Sequence, residues 1–490
     1  MHPAGYAMPF FRHSRSLVAI LLYCVFSGAW GGIIRFFAGP STLESVCSDK
    51  DFWILENTVL KEVLMSLRVR LMFCFGSAFF VQLGLGAEDW PGWRGHDGNG
   101  ISGQSGFPLE WSHENQNLLW SVKVAQWGNS SPCIVGDRIY LTAQKKDDTL
   151  HVLSVDRVKG QVVWKSKVGE GKTKHHRLHN MASPTCVATM DRVCALFGTG
   201  DLVCLDSEGK LLWKKDLVKD HGEYSILWGM GSSPLLYSGR LFIACMNGGP
   251  SYVLCVDIKT GKYLWKADRK LPCIGEATDS YSSPILFDWQ EKKAVVVSGA
   301  DHVNAYDPAS GRQLWISSGL DIPHKAGRSI ASPTAAQGMV FATSSGYGGL
   351  GKVIGLKPGK DASGDITASR RSWLYKQHSP DCPTPVCYRG RLYLVRDNGV
   401  GSCLDAVTGE LKWRERIFRG DVKASPVAAD GRIYFTAMSG DTITLEAGDQ
   451  FKIVGKGKVP GPIIATPALA DGTVYIRGRD RLWAFRNSTR

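Results

Sequence analysis

Aromatic, histidine and charged residues are concentrated in several segments that separate runs of apolar residues. Indole rings and mixed charges of this kind suit a polar ligand, a peptide strand or a loop of a partner protein. Because loops on a rigid scaffold often carry binding residues, these segments are predicted to form a binding surface. No residue is assigned a catalytic, cofactor-binding or metal-binding role. The predicted binding residues are Trp127, Asn129, His179, Trp228, Glu276, Asp279 and Arg328.

The same segments contain residues that suit two more specific chemistries, metal binding and glycoside hydrolysis. Four histidines offer imidazole ligands for a transition metal: His175, His176, His179 and His221. Their spacing matches no zinc-binding helix motif, so hydrogen-bonded or exposed loop histidines are the favoured interpretation. Three carboxylates offer a pair for glycoside cleavage: Glu223, Glu276 and Asp279. The sequence does not give the distance between them, so hydrolysis stays a minor alternative.

An internal repeat positions these segments. Apolar strands follow each copy of a Ser-Pro or Thr-Pro dipeptide, and a tight turn such as Asp430-Gly431 often leads to a second strand. Glycine supplies the positive φ that such hairpins need. The predicted binding segments precede the dipeptides and should therefore gather on one face. The dipeptide recurs at intervals of 41 to 52 residues, at Ser131, Ser183, Ser233, Ser283, Ser332, Thr384, Ser425 and Thr466.

A second landmark combines Asp, Gly and Trp, with glycine four residues before tryptophan, as in Asp257, Gly261 and Trp265. The aspartate is expected to cap a turn by accepting backbone hydrogen bonds, and the glycine to take its left-handed position. The tryptophan is expected to fill the gap between neighbouring sheets. The tryptophans given this structural role are Trp120, Trp164, Trp213, Trp265, Trp315 and Trp413.

Four short strands in each repeat predict an all-β protein built from β-propeller blades. The last repeat ends after Phe485, before its fourth strand, while residues 117–124 look like an outer strand with none before it. This N-terminal strand is predicted to complete the last blade, which closes the ring and removes its open edges. The prediction is a single, monomeric eight-bladed propeller over residues 117–490. Residues 88–116 form a lead-in segment to it.

The composition agrees with this architecture. The chain has 490 residues, and its 55 glycines exceed the usual share of about 7%, which indicates many turns. Apolar residues at 44% and charged residues at 21% exclude a largely disordered chain. The net charge of +13 would permit contact with polyanions. The basic residues are scattered, however, so no specific nucleic-acid partner is predicted.

Residues 1–87 contain two stretches that resemble export signals. The second begins at Met65 with Arg68 and Arg70, continues with apolar residues 71–85 and ends at small residues near Ala87. The favoured interpretation is a signal peptide at residues 65–87, with residues 1–64 an artefact of start-site choice. In the alternative, residues 16–34 are an uncleaved anchor of marginal spanning length. The mature chain is expected in the periplasm or at the cell surface of a bacterium, without a stable membrane span.

The motif Asp-x-x-Thr/Ser-Gly-Lys/Arg-x-x-Trp, cleanest at residues 257–265, resembles the pyrroloquinoline-quinone repeat. The resemblance covers residues 117–486. Two groups carry this repeat on eight-bladed propellers: the quinoprotein alcohol and glucose dehydrogenases, and BamB, a non-enzymatic subunit of the outer-membrane β-barrel assembly machinery. Because the motif is a packing device, the resemblance implies the fold more strongly than the function.

The quinoprotein group implies pyrroloquinoline quinone and Ca²⁺, held by a vicinal disulfide, a tryptophan floor and converging oxygen ligands. This sequence has no Cys-Cys dipeptide and no Asp-rich loop, so no cofactor is expected. The leading hypothesis is an exported, non-enzymatic scaffold of the cell envelope that binds a protein or surface polymer, resembling BamB more than the dehydrogenases. The first alternative is a pyrroloquinoline-quinone-dependent oxidoreductase. A carbohydrate-binding or hydrolysing propeller, suggested by Trp127 and Trp228, is weaker.

Overall fold

The computed structural model describes residues 89–124 and 127–488, and the predicted segments at 1–64 and 65–87 lie outside this part. In these residues eight sheets follow one another along the chain, and most of their first strands contact the first strand of the next sheet. This arrangement confirms the predicted all-β, eight-bladed propeller. The described residues include no helix that is both long and apolar enough to cross a membrane.

The strands are numbered in chain order. Before the first blade lie β1 and β2, at Glu110–Ser112 and Leu118–Lys123. Blade 1 contains β3 to β6, at Cys133–Val135, Arg138–Gln144, Thr149–Asp156 and Val162–Glu170. Blade 2 contains β7 to β10, at Val187–Ala188, Arg192–Leu196, Asp201–Asp206 and Leu211–Asp216. Blade 3 contains β11 to β14, at Leu235–Tyr237, Arg240–Cys245, Tyr252–Asp257 and Tyr263–Asp268. Blade 4 contains β15 to β18, at Ile285–Trp289, Lys292–Gly299, His302–Tyr306 and Gln313–Ser317.

Blade 5 contains β19, β20, β21 and β23, at Thr334–Ala336, Met339–Ser345, Gly351–Leu356 and Arg371–Tyr375, and β22 at Gly364–Asp365 joins blade 4. Blade 6 contains β24 to β27, at Val386–Tyr388, Arg391–Val395, Val400–Asp405 and Leu411–Arg416. Blade 7 contains β28 to β31, at Val427–Ala429, Arg432–Thr436, Asp441–Glu446 and Ile453–Lys458. Blade 8 contains β32 to β34, at Ala468–Ala470, Thr473–Arg477 and Arg481–Arg486. The connections hold short helices α1 at Leu217–His221 and α2 at Thr367–Arg370, and 3-10 turns at Gly275–Thr278 and Tyr347–Gly349.

The N-terminal strand completes the last blade, as predicted. Strand β2 pairs with β34 in antiparallel orientation, from Leu118 opposite Phe485 to Lys123 opposite Arg481. Blade 8 therefore takes its outer strand from the beginning of the propeller and its other strands from the end. This pairing removes the two edges that an unclosed ring would expose.

The blade tryptophans bridge neighbouring blades. Trp164 of blade 1 lies on Gly209 of blade 2, where an added Cβ would be only 2.6 Å from the indole and where φ is +86°. Its Nε1 donates a hydrogen bond of 2.8 Å to the carbonyl oxygen of Ser207. A tryptophan Nε1 donates to a carbonyl of the following blade in the same way at Trp120, Trp213, Trp265 and Trp373. The glycine of the repeat is therefore a platform for the tryptophan of the preceding blade.

Trp315 and Trp413 depart from this pattern. Both are buried, and within the described ranges neither Nε1 has a hydrogen-bond acceptor. Trp315 precedes the irregular blade 5, in which Trp373 stands late. Trp413 packs edge-on against Phe451, with ring centroids 5.3 Å apart.

Blade 7 has no tryptophan of its own, and the lead-in segment supplies one. Strand β1 adds to β31 as a parallel outer strand, with Trp111 opposite Gly457. The Trp111 ring is 2% exposed and stacks on Phe485 of blade 8 at a centroid distance of 5.6 Å. Residues outside the repeat thus fill the gap between blades 7 and 8.

Candidate functional site

A ring of hydroxyl groups surrounds the central channel. At each blade junction from blade 1 to blade 8, a backbone N–H of one ring residue donates to the side-chain hydroxyl of the next, as Ser233 does to Ser283 at 2.9 Å. Seven such bonds join consecutive blades in the described part of the chain. The hydroxyl ring consists of Ser131, Thr185, Ser233, Ser283, Ser332, Thr384, Ser425 and Thr466.

In blade 2 the ring residue is Thr185, two residues after the predicted Ser183. The strand pattern explains this correction, because the first strand of blade 2 begins at Val187, two residues after Thr185. The first strand of blade 1 likewise begins two residues after Ser131. Ser183 and Pro184 therefore belong to the preceding loop.

The lead-in segment closes one end of this channel. Its residues 90–100 receive hydrogen bonds from backbone N–H groups that lie three positions beyond a ring residue. Ala188 donates to Pro91 at 3.0 Å and Leu286 to Asp97 at 2.9 Å. The described residues that donate in this way are Ile134, Ala188, Leu286, Ala335 and Ala428. The segment thus satisfies inner-strand donors that would otherwise face the channel.

Arg94 fastens this closed end to blade 6. Its guanidinium is 1% exposed and donates to the carbonyl oxygens of Thr384 at 3.2 Å, Pro385 at 2.8 Å and Asn99 at 2.9 Å. The Arg94 guanidinium also lies over the Trp93 ring, 5.6 Å from its centroid. These contacts hold Trp93 across the bottom of the channel.

The channel contains a cavity of about 460 Å³. It opens among the loops at the other end of the channel from the lead-in segment, and we call this opening the mouth. The wall of the cavity includes the eight ring residues, and Trp93 lines its closed end. Five residues predicted from the sequence also line it: Asn129, His179, Trp228, Glu276 and Arg328. The loops before the repeats therefore converge on one face, although their binding role stays a prediction.

Arg328 joins two carboxylates at the mouth. Its guanidinium donates to Asp381 through Nε at 3.0 Å and Nη2 at 2.6 Å, and to Glu276 through Nη1 at 3.0 Å. Glu276 also accepts a hydrogen bond of 3.0 Å from Nε1 of Trp228. Burial alone would raise the pKa of Asp381, but the hydrogen bonds and charge of Arg328 outweigh it and lower that pKa. Asp381 is therefore ionised at neutral pH.

Asp381, Cys382 and Asp397 are close enough together to suggest a metal site. Both carboxylates are already engaged by cations, however: Asp381 by Arg328, and Asp397 by Nζ of Lys423 at 2.8 Å. Asp397 also accepts the backbone N–H groups of Asp381 and Cys382. Burial would lower the pKa of Lys423, but its negative neighbours raise it overall. A divalent cation would have to displace both positive side chains.

The four histidines do not form a common site. His179 lines the cavity and is partly buried, and burial lowers its pKa to about 4, so its imidazole is neutral at pH 7. His176 lies edge-on to Trp228 at a centroid distance of 5.4 Å. His221 lies instead against Tyr252 and Tyr263 of blade 3. The described residues contain no histidine cluster with metal-ligand geometry.

Two predicted binding residues lie outside the cavity lining. Asp279 is 5% exposed and accepts backbone N–H groups from Leu227 at 2.7 Å and Gly248 at 3.3 Å, so it holds loops together. Burial raises the pKa of Asp279. Trp127 lies beneath the guanidinium of Arg479, 4.9 Å from the ring centroid. Trp127 Nε1 also donates to Oδ1 of the cavity residue Asn129 at 3.3 Å, so this indole supports the cavity wall without lining it.

Several cavity residues were absent from the predicted set. Asp381 and Lys423 stand in the correct loops, but nothing in their local sequence distinguishes them from other loop charges. Trp93 belongs to the lead-in segment, which has no repeat to place it. Its sequence, Trp90-Pro-Gly-Trp-Arg94, was the available signal, because two tryptophans beside a turn indicate a packed segment.

A family profile described as outer membrane protein assembly factor BamB matches residues 105–273, 228–362 and 299–450. These overlapping stretches cover well over half of the chain. The chain belongs to this family. The resemblance drawn from the repeat motif is thereby confirmed, with the BamB-like group favoured.

Among individual family members, the outer membrane protein assembly factor BamB of Kangiella koreensis is 26% identical over 137 residues. The alignment spans 27% of this chain and only 31% of that relative. The similarity therefore covers less than a third of the relative's length.

Solved structures share the fold at low sequence identity. BamB from Moraxella catarrhalis matches with a TM-score of 0.56 at 14% identity, over 76% of this chain and 99% of its own. A europium-containing methanol dehydrogenase matches with a TM-score of 0.60 at 12% identity, over 81% of this chain and 98% of its own. Because both a BamB and a dehydrogenase match, these similarities establish the propeller fold alone.

Proposed function

We propose that this chain is a non-catalytic propeller scaffold of the bacterial cell envelope that binds a protein partner through the mouth of its channel. Membership of a family described as an outer membrane protein assembly factor supports the envelope role. Export directed by residues 65–87, a periplasmic or surface location and a monomeric ring belong to the same proposal.

An exposed apolar rim beside the mouth carries this proposal. We call it the mouth rim, and its large apolar side chains are exposed by 38% to 79%. Its loops are joined to one another, since Glu276 contacts both Trp228 and the backbone of Lys325, and His324 stacks on Tyr347. Exposed apolar side chains next to an arginine are typical of protein interfaces. The mouth rim consists of Leu227, Trp228, Ile274, Tyr347 and Leu350.

The charges at the mouth support binding rather than catalysis. Arg328 contacts both Glu276 and Asp381, so each carboxylate already has a cationic partner. Of the carboxylates predicted for glycoside cleavage, Glu276 accepts a hydrogen bond from Arg328, and Asp279 is 5% exposed and accepts two backbone N–H groups, so neither is free to act on a glycosidic bond in the channel. We therefore include no hydrolytic step in the proposal.

The residues at the mouth also do not fit a Ca²⁺-bound quinone. Such a site needs several oxygen ligands that are free to converge on the cation. Here Arg328 donates to Asp381 and Glu276, the two carboxylates in the described part of the cavity wall, and the sequence has no Cys-Cys dipeptide for the vicinal disulfide of the quinoproteins. The proposal therefore includes no resident pyrroloquinoline quinone and no oxidoreductase step.

Site-specific photocrosslinking of the full-length chain in its own host tests the docking surface. A photoreactive residue placed at Tyr347 or Trp228 should crosslink to a second polypeptide of the envelope fraction. Matched controls are Leu119 and Leu211, which are exposed by 49% and 47% on outer strands β2 and β10, away from the mouth.

Crosslinks at the control positions but not at the mouth rim would contradict the proposal. A crosslinked product without a second polypeptide would favour a surface polymer as the partner. Recovery of the chain from the cytosolic fraction would exclude the envelope location.

A further inference from the structure

The central channel has the shape of a pocket rather than of a pore. The lead-in segment crosses its closed end, and the mouth leaves the other end accessible. The cavity between them has a volume of about 460 Å³, within the range of pockets that hold small molecules, roughly 300–1,000 Å³. Its size is therefore compatible with a small ligand that is independent of any partner at the mouth rim.

The hydroxyl ring lines the cavity with groups that can donate hydrogen bonds. From Thr185 to Thr466, each ring hydroxyl accepts a backbone N–H from the preceding blade, which occupies a lone pair and leaves the O–H proton unused. For these ring hydroxyls, the described residues provide no acceptor. The protons are therefore available to oxygen atoms of a ligand that displaces the channel water.

The charged side chains of the lining balance. In the described part of the cavity wall, Glu276 and Asp381 are opposed by Arg328 and Lys423. Each of the two cations is already paired with a carboxylate, Arg328 with Asp381 at 2.6 Å and Lys423 with Asp397 at 2.8 Å. An anionic ligand would therefore find no unpaired positive charge in the lining, and the hydrogen-bonding groups that remain for a ligand are the uncharged ones.

Apolar groups complete the lining. The Trp93 indole stands at the closed end, and Ile330 and Ile464 line the wall beside the hydroxyl ring. A ligand that matches this surface must present hydroxyl oxygens along its edges and C–H groups on its faces. Pyranose sugars have this character, because their C–H faces pack on aromatic rings while their hydroxyls form hydrogen bonds.

We propose that the channel binds an uncharged sugar unit, a monosaccharide or the end of a short oligosaccharide, with Trp93 against the sugar face and the hydroxyl ring around its edges. This inference goes beyond the proposed scaffold function and does not depend on it. It is a binding site, and no bond of the sugar is broken there.

The test uses the full-length purified protein and four neutral probes: D-glucose, D-galactose, N-acetylglucosamine and maltose. Calorimetry and saturation-transfer NMR should detect binding of at least one probe, with a dissociation constant of about 1 mM or lower. Trp93→Ala should weaken that binding about tenfold, and Trp93→Phe should retain most of it. Trp289→Ala is the matched control, because this indole at the end of β15 donates to the carbonyl oxygen of Gly359 and does not line the cavity, and it should leave the affinity unchanged.

A second variant keeps the test decisive if Trp93→Ala fails to fold. Ile464→Trp should fill the channel and abolish sugar binding, while crosslinking from Tyr347 at the mouth rim persists. The proposal is overturned if none of the four sugars binds, or if Trp93→Ala and Ile464→Trp both bind as tightly as the unaltered protein. It is also overturned if pyrroloquinoline quinone with Ca²⁺, or sulfate, binds more tightly than every sugar, since the charge-balance argument would then be wrong.

Discussion

At the closed end of the channel, backbone N–H groups of the inner strands donate to the lead-in segment, whereas at the mouth charged side chains pair with one another. The closed end buries Trp90 and Arg94 almost completely. The mouth leaves Trp228 38% exposed and holds its loops through Arg328 and its two carboxylates. One end is thus built like a protein core and the other like an interface.

This difference indicates which changes should affect stability and which should affect recognition. Backbone hydrogen bonds and buried aromatic rings depend little on salt or pH. Paired charges near solvent contribute modestly to stability and respond to both. Three predictions test the contrast, from the largest expected effect to the smallest.

Removing the aromatic ring at the closed end should have the largest effect. Trp90→Ala deletes a side chain that is 2% exposed, so the free energy of unfolding should fall by about 3–5 kcal/mol. Trp228→Ala at the mouth, the matched control, should change it by about 1 kcal/mol or less. Urea-induced unfolding followed by circular dichroism measures both. Equal losses in the two variants would show that the ends do not differ in this way.

Removing a hydroxyl from the ring should lower the free energy of unfolding only where a backbone N–H donates to that hydroxyl. Ser283→Ala leaves the backbone N–H of Ser233 without its acceptor and should cost about 1–3 kcal/mol. Ser131→Ala is the control, because no described residue donates to the Ser131 hydroxyl, and it should change stability by less than about 0.5 kcal/mol. Both measurements use the same urea titration. A comparable loss in Ser131→Ala would mean that the ring bonds are not the source of the cost.

Two aspartates near the mouth should give opposite, smaller pH effects. The pKa of Asp381 is lowered, so its stabilisation is complete above its ordinary value of 3.8 and is lost as pH falls through the lowered pKa. The pKa of Asp279 is raised, so the folded protein loses stability as pH rises from 3.8 through the raised pKa. Asp279→Asn should therefore steepen the rise of stability with pH, and Asp381→Asn should flatten it, each by about 1 kcal/mol.

Unfolding free energies measured across acidic pH test these signs. Glu110→Gln, on strand β1, is a control for general charge effects. Parallel shifts in both aspartate variants would contradict the assignment of opposite environments.

The repeat accounts for what could be predicted of the fold. Regular spacing of Asp, Gly and Trp gave the blades, and the missing last strand gave the closure by β2. The parts of the fold that could not be predicted are those in which the sequence repeat is interrupted. Trp111 takes the place of the missing tryptophan of blade 7, although it lies several hundred residues earlier in the sequence. Thr185 is the ring residue in place of Ser183, because the loop before blade 2 continues through Ser183 and Pro184. Such substitutions depend on packing in three dimensions, which a period cannot reveal.

The candidate site was predictable in location but not in detail. The loops before the repeats do converge, and Glu276 and Arg328 line the cavity. Asp279, only three residues from Glu276, turns into the protein to accept Leu227 N–H. Nothing in the order of residues gives the direction of a loop side chain, which depends on the backbone donors around it. Trp93 was missed for another reason, because the lead-in segment has no equivalent in the repeat.

The pairing of β2 with β34 has a consequence for the time course of synthesis. Leu118 lies opposite Phe485, so the two strands are made far apart in time. At about 5–20 residues per second, β2 leaves the ribosome roughly 20 to 70 seconds before its partner. During this interval β2 is an unpaired strand that a holding chaperone can bind. The closing contact of the ring therefore forms only after almost the whole chain has been synthesised.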